Sequence, residues 1–232
     1  MVVSDSKDHS PGIQNEGPFL TMNPFSSRCC QHNHAQGWPY YAEHLWMATP
    51  DNGIAAMMYN SSEVIAKVGD RKGKSVGLKQ TTHYPFDENI KIEVSTSSPV
   101  SFPLYLRIPR WCADATVMIN GKVVDVTPTA SSYIRLENKW KEGDVIELKL
   151  PMHLSMRSLT ENKNSVSLDY GPLTFSLKID EYYQKINSKE SAIGDSKWQA
   201  NADQTKWPAY NIYPASMWNY GLDVNSQPLD EQ

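Results

Sequence analysis

The chain of 232 residues carries 22 basic against 26 acidic side chains, a net charge of −4 that offers no long-range attraction to nucleic acid or an anionic membrane and suits a neutral, polar ligand better. Three cysteines, an odd number, exclude a fully paired disulfide framework, and a chain of this length needs none to bury a core. No apolar run approaches the ~18 residues that a membrane helix requires.

In chain order, the opening "MVVSDSKDHSPGIQNEGPF" is polar, broken by Pro11 and Gly12, and lacks the basic region and apolar core of an export signal. It reads as an extended loop. Beyond Gly37, Tyr41, Leu45 and Ala48 recur at helical spacing behind Pro39, which predicts one helix over 39–48, halted by "TPDNG". From Ile54 the pattern changes to short alternating runs punctuated by Gly, Pro, Asn and Asp: "IAAMMY", "EVIAKV", "SVGLKQTTHYPF", "IKIEVST", "FPLYLRIP", "ATVMING" with "KVV", "SYIRLEN", "DVIELKLP", "HLSMRS" and "SVSLDYGPLTFSLKI". Asn120-Gly121 supplies the dipeptide of a type I′ hairpin. The expected fold is therefore mainly β, an antiparallel β-sandwich over about 54–179 preceded by a loop and one helix. After Ile179 alternation fades and Trp198, Trp207 and Trp218 stand among polar residues, so the tail is expected to wrap a core rather than form one.

The chemistry-bearing cluster is "RCCQHNH". Cys29 and Cys30 read in one way as two small apolar residues packed where a loop enters a helix, since free cysteine is usually buried and inert. Their surroundings support another reading. Arg28 favours a thiolate, the form that both attacks electrophiles and binds metal, and His32 and His34 add two imidazoles of a softness that suits zinc. A zinc finger is excluded, because two widely separated half-sites are absent. A papain-type nucleophile would need a distant His and Asn that the sequence does not place.

"NPFSSRCCQHN", "GWPYYAEHLWMATPDNGIAAMMY", "FPLYLRIPRWC", "MINGK", "SYIRLENKWKEGDVIELKLPM" and "SVSLDYGPLTFSLKI", in that order, resemble the C-terminal part of the bacterial β-L-arabinofuranosidase family of glycoside hydrolases, from about Asn23 to the end of the chain. The resemblance implies an (α/α)6 barrel holding the active site, followed by β-sandwich domains. Residues 1–50 would be the last part of that barrel, 51–150 a β-sandwich, and 151–232 a second β-region with an irregular wrap. By position Cys29 would be the nucleophile that forms a thioglycosyl intermediate and Cys30 a zinc ligand, in a double displacement with retention. The family's general-acid glutamate and its other zinc ligands belong to barrel segments upstream, whereas only 28 residues precede the pair here, with Glu16 as their sole glutamate. A missing N-terminal barrel is thus the expected covalent partner, and the chain alone is expected to be inactive and to hold zinc weakly. His32 stands where many members carry proline, which leaves the exact sugar open. The implied substrate is an arabinose-containing oligosaccharide or glycoconjugate. The alternative is a non-catalytic β-sandwich module with carbohydrate contact at most.

Among other residues, Trp38 is a candidate to stack on a sugar, beside Tyr40, Tyr41 and Trp46, although aromatics on one helix commonly serve a core. Glu43 and His44 suit a solvated helix face. Arg107 and Arg110, set between prolines, suggest an edge strand with solvated charges. "WNYGL" suggests a docking segment, or a tryptophan, Trp218, that closes the sandwich.

Overall fold

The structure, a computed structural model, describes residues 20–22, 28–70, 73–190 and 203–217, with side chains from Ala35 onward within that set. In chain order the elements are β1 (Leu20–Met22), α1 (Arg28–Glu43), β2 (Trp46–Ala48), β3 (Ile54–Ala56), β4 (Ser62–Val68), β5 (Lys74–Thr82), β6 (Asn89–Thr96), β7 (Val100–Ile108), β8 (Thr116–Ile119) and β9 (Lys122–Val123). There follow β10 (Ser132–Trp140), β11 (Val145–Lys149), β12 (Leu154–Leu159), β13 (Ser165–Tyr170), β14 (Leu173–Thr174), β15 (Glu181–Ile186) and β16 (Ala209–Pro214). The chain divides into two compact units, one of Met1–Trp38 with Leu177–Ser226, the other of Pro39–Ser176 with Gln227–Gln232.

The second unit holds the expected sandwich. One sheet has four strands in the order β10-β7-β3-β2 and the other six in the order β4-β5-β6-β11-β8-β9. Alternation sends Ile90, Ile92 and Val94 of β6 inward, and Ile134, Leu136 and Trp140 of β10 do the same from the facing sheet. Together with Leu104, Leu106, Ile146 and Leu148 they make one continuous core. Trp140, fully enclosed, donates its indole N–H to the Phe102 carbonyl oxygen at 2.9 Å, so its polar atom is satisfied inside an apolar layer. At the β8–β9 turn Asn120 and Gly121 take φ of 51° and 74°, the expected type I′ geometry. The buried Asp144 carboxylate locks that hairpin to β11, accepting from Asn120 Nδ2 at 3.0 Å and from the Lys141 N–H at 2.9 Å.

Three expectations are corrected. The helix lies over Arg28–Glu43, and Trp46–Ala48 is a strand: Leu45 is buried, its carbonyl accepts from the Met57 N–H at 2.9 Å, and β2 pairs with β3, so tertiary pairing overrides helical spacing. Pro39 lies inside the helix rather than at its start, and the His44 ring caps the helix end by donating from Nδ1 to the Tyr40 carbonyl at 2.7 Å. Secondly, β7, which carries Arg107, is an interior strand, flanked by β10 and by β3, and the β3–β7 pair is parallel. Arg107 is nevertheless exposed, because its side chain points away from the core between the buried Leu106 and Ile108, and Arg110 is exposed in the turn that follows β7. Pro103 is tolerated in this interior strand because its neighbour on the β3 side is Gly53, one residue before the ladder begins at Ile54. The approach is close: a Cβ on Gly53 would lie 2.2 Å from the Pro103 carbonyl oxygen, which explains the glycine.

Thirdly, strands continue past residue 179. In the first unit β15 and β16 join β1 in an antiparallel sheet of order β1-β16-β15, with Ala209 and Ile212 buried. A further antiparallel sheet, β12-β13-β14, closes the second unit's run of strands. Trp207 is exposed, and Trp198 and Trp218 lie outside the described residues.

Candidate functional site

Arg28, Cys29 and Cys30 begin α1, so the cysteine pair occupies the first helical turn. The side chains of Cys29, Cys30, His32 and His34 lie outside the described set; the backbone sets Cys30 and His34 one turn apart, and Cys29 and His32 likewise. Trp38 is 62 % exposed and Tyr40 66 %, whereas Tyr41 and Trp46 are half-buried, Trp46 Nε1 donating to Ser62 Oγ at 3.1 Å. The four aromatics therefore do not act as one stripe. Among the described residues no three His, Cys, Asp or Glu side chains converge as metal ligands.

The third cysteine has a structural role. Cys112 is fully buried in the sandwich core after β7, and burial pushes its thiol above the usual range. Its sulfur lies 3.9 Å from Asp114 Oδ1. A thiol kept neutral and enclosed is neither nucleophile nor ligand. In a variant with Cys29 and Cys30 replaced by serine, a thiol reagent is expected to leave native protein unlabelled and to label Cys112 completely in denaturant. Fast labelling without denaturant would show the core to be open there.

A feature without a sequence signal lies on the outer face of the four-stranded sheet. Pairing aligns Met47, Ala55, Tyr105 and Arg135 in one row across β2, β3, β7 and β10. Ala55 is the short member, so the taller Met47 and Tyr105 wall a hollow of about 280 Å³, extended by Met57 and Tyr133. Along one side runs a fixed polar network. Asp51 accepts from Thr49 Oγ1 at 2.5 Å and from the Tyr105 hydroxyl at 2.6 Å. Arg135 Nε donates to the Tyr105 oxygen at 2.9 Å, its guanidinium lies 3.4 Å from Asp51 Oδ2, and it pairs also with Glu137. Those bonds, Thr49 first and Tyr105 next, hold the Asp51 carboxyl below its usual range, and the bond to Asp51 raises the Tyr105 phenol.

Residues 53–152 match the family described as the β-L-arabinofuranosidase GH127 middle domain. This part of the chain resembles a GH127 middle domain. The match runs from Gly53 at the close approach to Pro103 through β11 to the buried Met152, which takes in nearly all of the sandwich core. Solved structures share the fold. A GH127 β-L-arabinofuranosidase from Geobacillus stearothermophilus T6 is 23% identical with a TM-score of 0.57, covering 80% of this chain and 34% of that one. A glycoside hydrolase is 22% identical with a TM-score of 0.58, covering 82% and 37%. A GH127 β-arabinofuranosidase is 21% identical with a TM-score of 0.55, covering 74% and 34%. This GH127-like chain thus spans about a third of the length of those structures. No curated protein matches it in sequence.

Proposed function

We propose that the protein to which this chain belongs is a retaining glycoside hydrolase that releases β-L-arabinofuranose, or a related sugar, from non-reducing ends, with Cys29 as nucleophile and Cys30 as a zinc ligand. The observation that carries this reading is the GH127 middle-domain match at residues 53–152, following on the chain a helix whose first turn bears the two cysteines. A first-turn position favours a thiolate, because unpaired backbone N–H groups and the positive end of the helix dipole face it. Adjacent thiols suit zinc by softness but supply at most two of four tetrahedral ligands, so the remainder belong to other segments. Zinc held by Cys30 would contribute positive charge that keeps the neighbouring thiol deprotonated.

In the proposed reaction the Cys29 thiolate attacks the anomeric carbon, forming a C–S bond as the C–O bond to the leaving group breaks. A carboxylic acid outside this chain gives its proton to the departing oxygen. Water, deprotonated by the same carboxylate, then displaces the sulfur and restores the thiolate. Two inversions give retention. On this reading the acid and the sugar pocket come from the barrel, and proximity of the thiol does not replace them.

The test is covalent. Intact protein treated with a haloacetamide or cyclophosphate analogue of arabinofuranose, then digested for peptide mass analysis, is expected to carry the label on Cys29. Label on a glutamate, with both cysteines unmodified, would make the pair structural and overturn the assignment.

A further inference from the structure

We propose that His32 binds the 2-hydroxyl of the sugar whose anomeric carbon Cys29 attacks, so that the enzyme selects neutral glycosides with a free hydroxyl at C2. This rests on the catalytic reading above and adds a substrate-binding residue to it. Its basis is that the whole of "RCCQHNH" lies on one continuous helix, α1, in which successive positions step by about 100° around the axis. Counted from Cys29, Cys30 stands about 100° round on one side and His34 about 140° on that same side, whereas His32 stands about 60° round on the other. The two histidines are therefore not one donor set. Two residues apart, they do not share a face, and only His34 shares one with Cys30, the cysteine assigned to the metal. His32 occupies the flank of the nucleophile that the metal leaves to the sugar.

Chemistry selects the group on the sugar. Helical positions three apart have Cβ atoms about 5–6 Å apart, so a side chain at position 32 is a near neighbour of whatever is bonded to the carbon under attack. That carbon has two ring neighbours. The ring oxygen gains positive character in the oxocarbenium-like transition state and is a poor target for a donor, whereas the hydroxyl on C2 both donates and accepts, as a neutral imidazole does through its two nitrogens. Hydrogen bonds to this hydroxyl strengthen as the transition state forms, so the contact raises kcat as well as affinity. Proline, which many members carry at this position, has no side-chain donor or acceptor to offer, and the contact is thus particular to chains with histidine there.

The test pairs a change in the protein with a change in the sugar. In the intact protein, kcat/KM is measured on an aryl β-L-arabinofuranoside and on its 2-deoxy counterpart for wild type, His32→Leu, His32→Gln and His34→Leu, with melting curves and metal content to check fold and zinc. Wild type is expected to lose at least about tenfold on the 2-deoxy sugar relative to His32→Leu, which has no contact left to lose. Intrinsic reactivity of the two sugars cancels in that comparison. His32→Gln, which keeps a donor and an acceptor, is expected to recover part of the discrimination, and His34→Leu to keep all of it. An equal 2-deoxy penalty in wild type and His32→Leu overturns the contact, and so does loss of zinc from His32→Leu, which would make His32 a ligand. Failure of the catalytic reading shows elsewhere: the arabinofuranose analogue is expected to label Cys29 in His32→Leu as in wild type, and its absence from Cys29 in both counts against the nucleophile and not against the placement of His32.

Discussion

In the intact protein Cys29→Ser is expected to lower kcat by about a thousandfold or more while KM changes only a few-fold. Serine is nearly isosteric, so the pocket and the bound sugar keep their geometry; what disappears is an anion at the attacking atom, because a hydroxyl does not ionise near neutral pH as a thiol at a helix start does. An interaction made only in the transition state lowers kcat and kcat/KM together, and that pattern separates a nucleophile from a residue that merely shapes the pocket. Cys30→Ser is expected to act differently, with activity partly restored by excess zinc, since a lost ligand weakens metal affinity without removing the attacking group. Turnover by Cys29→Ser within tenfold of wild type would sink the assignment.

A comparably large effect on stability is expected at Trp140. Replacing it with alanine removes a fully enclosed indole and leaves a cavity between the two sheets, a change that costs about 3–5 kcal/mol. Against the about 5–15 kcal/mol that holds a typical domain together, that is a third of the margin or more. Trp140→Phe separates two contributions. It keeps most of the packing against the Phe102 ring, 6.1 Å away centre to centre, but leaves the Phe102 carbonyl without its indole donor, a loss of about 1–3 kcal/mol. Urea unfolding of the three proteins should rank wild type, Phe, then Ala; an Ala variant within about 1 kcal/mol of wild type would contradict close packing there.

The sandwich was legible in the sequence wherever one face of a strand is buried, since alternation is the imprint of that one-sided burial. Ile90, Ile92 and Val94 make β6 plain, and Asn120-Gly121 makes its hairpin plain, because few other residues accept positive φ at two successive positions. Strands of three residues, such as β2, are too short to show a period. In β15 the pattern is lost because five of its six residues are exposed, and backbone pairing with β16 alone defines it. Helix α1 went unread over its first turns for a related reason: from Arg28 to Gly37 no apolar stripe exists for a periodicity to reveal. The cysteine pair was legible through chemistry and resemblance. The hollow at Ala55 was not, because it is made by a side chain that is small and by neighbours brought from three other strands.

The parallel alignment of β3 with β7 bears on the order in which this molecule acquires its shape. Ile54 meets Leu104 only after the chain between them has left the four-stranded sheet, and that chain includes β4, β5 and β6 of the other sheet. Those three are joined by local antiparallel links, whose loops are cheap to close, whereas the β3–β7 contact and the β6–β11 contact each require distant segments to find one another. The meander is therefore expected to form early and the central parallel pair late. While the pair is open, β7 presents an unpaired backbone edge beside Leu104 and Leu106. A nascent chain is then most exposed to misassociation after β7 has emerged and before β3 has docked, an interval set by topology rather than by the strength of any one contact.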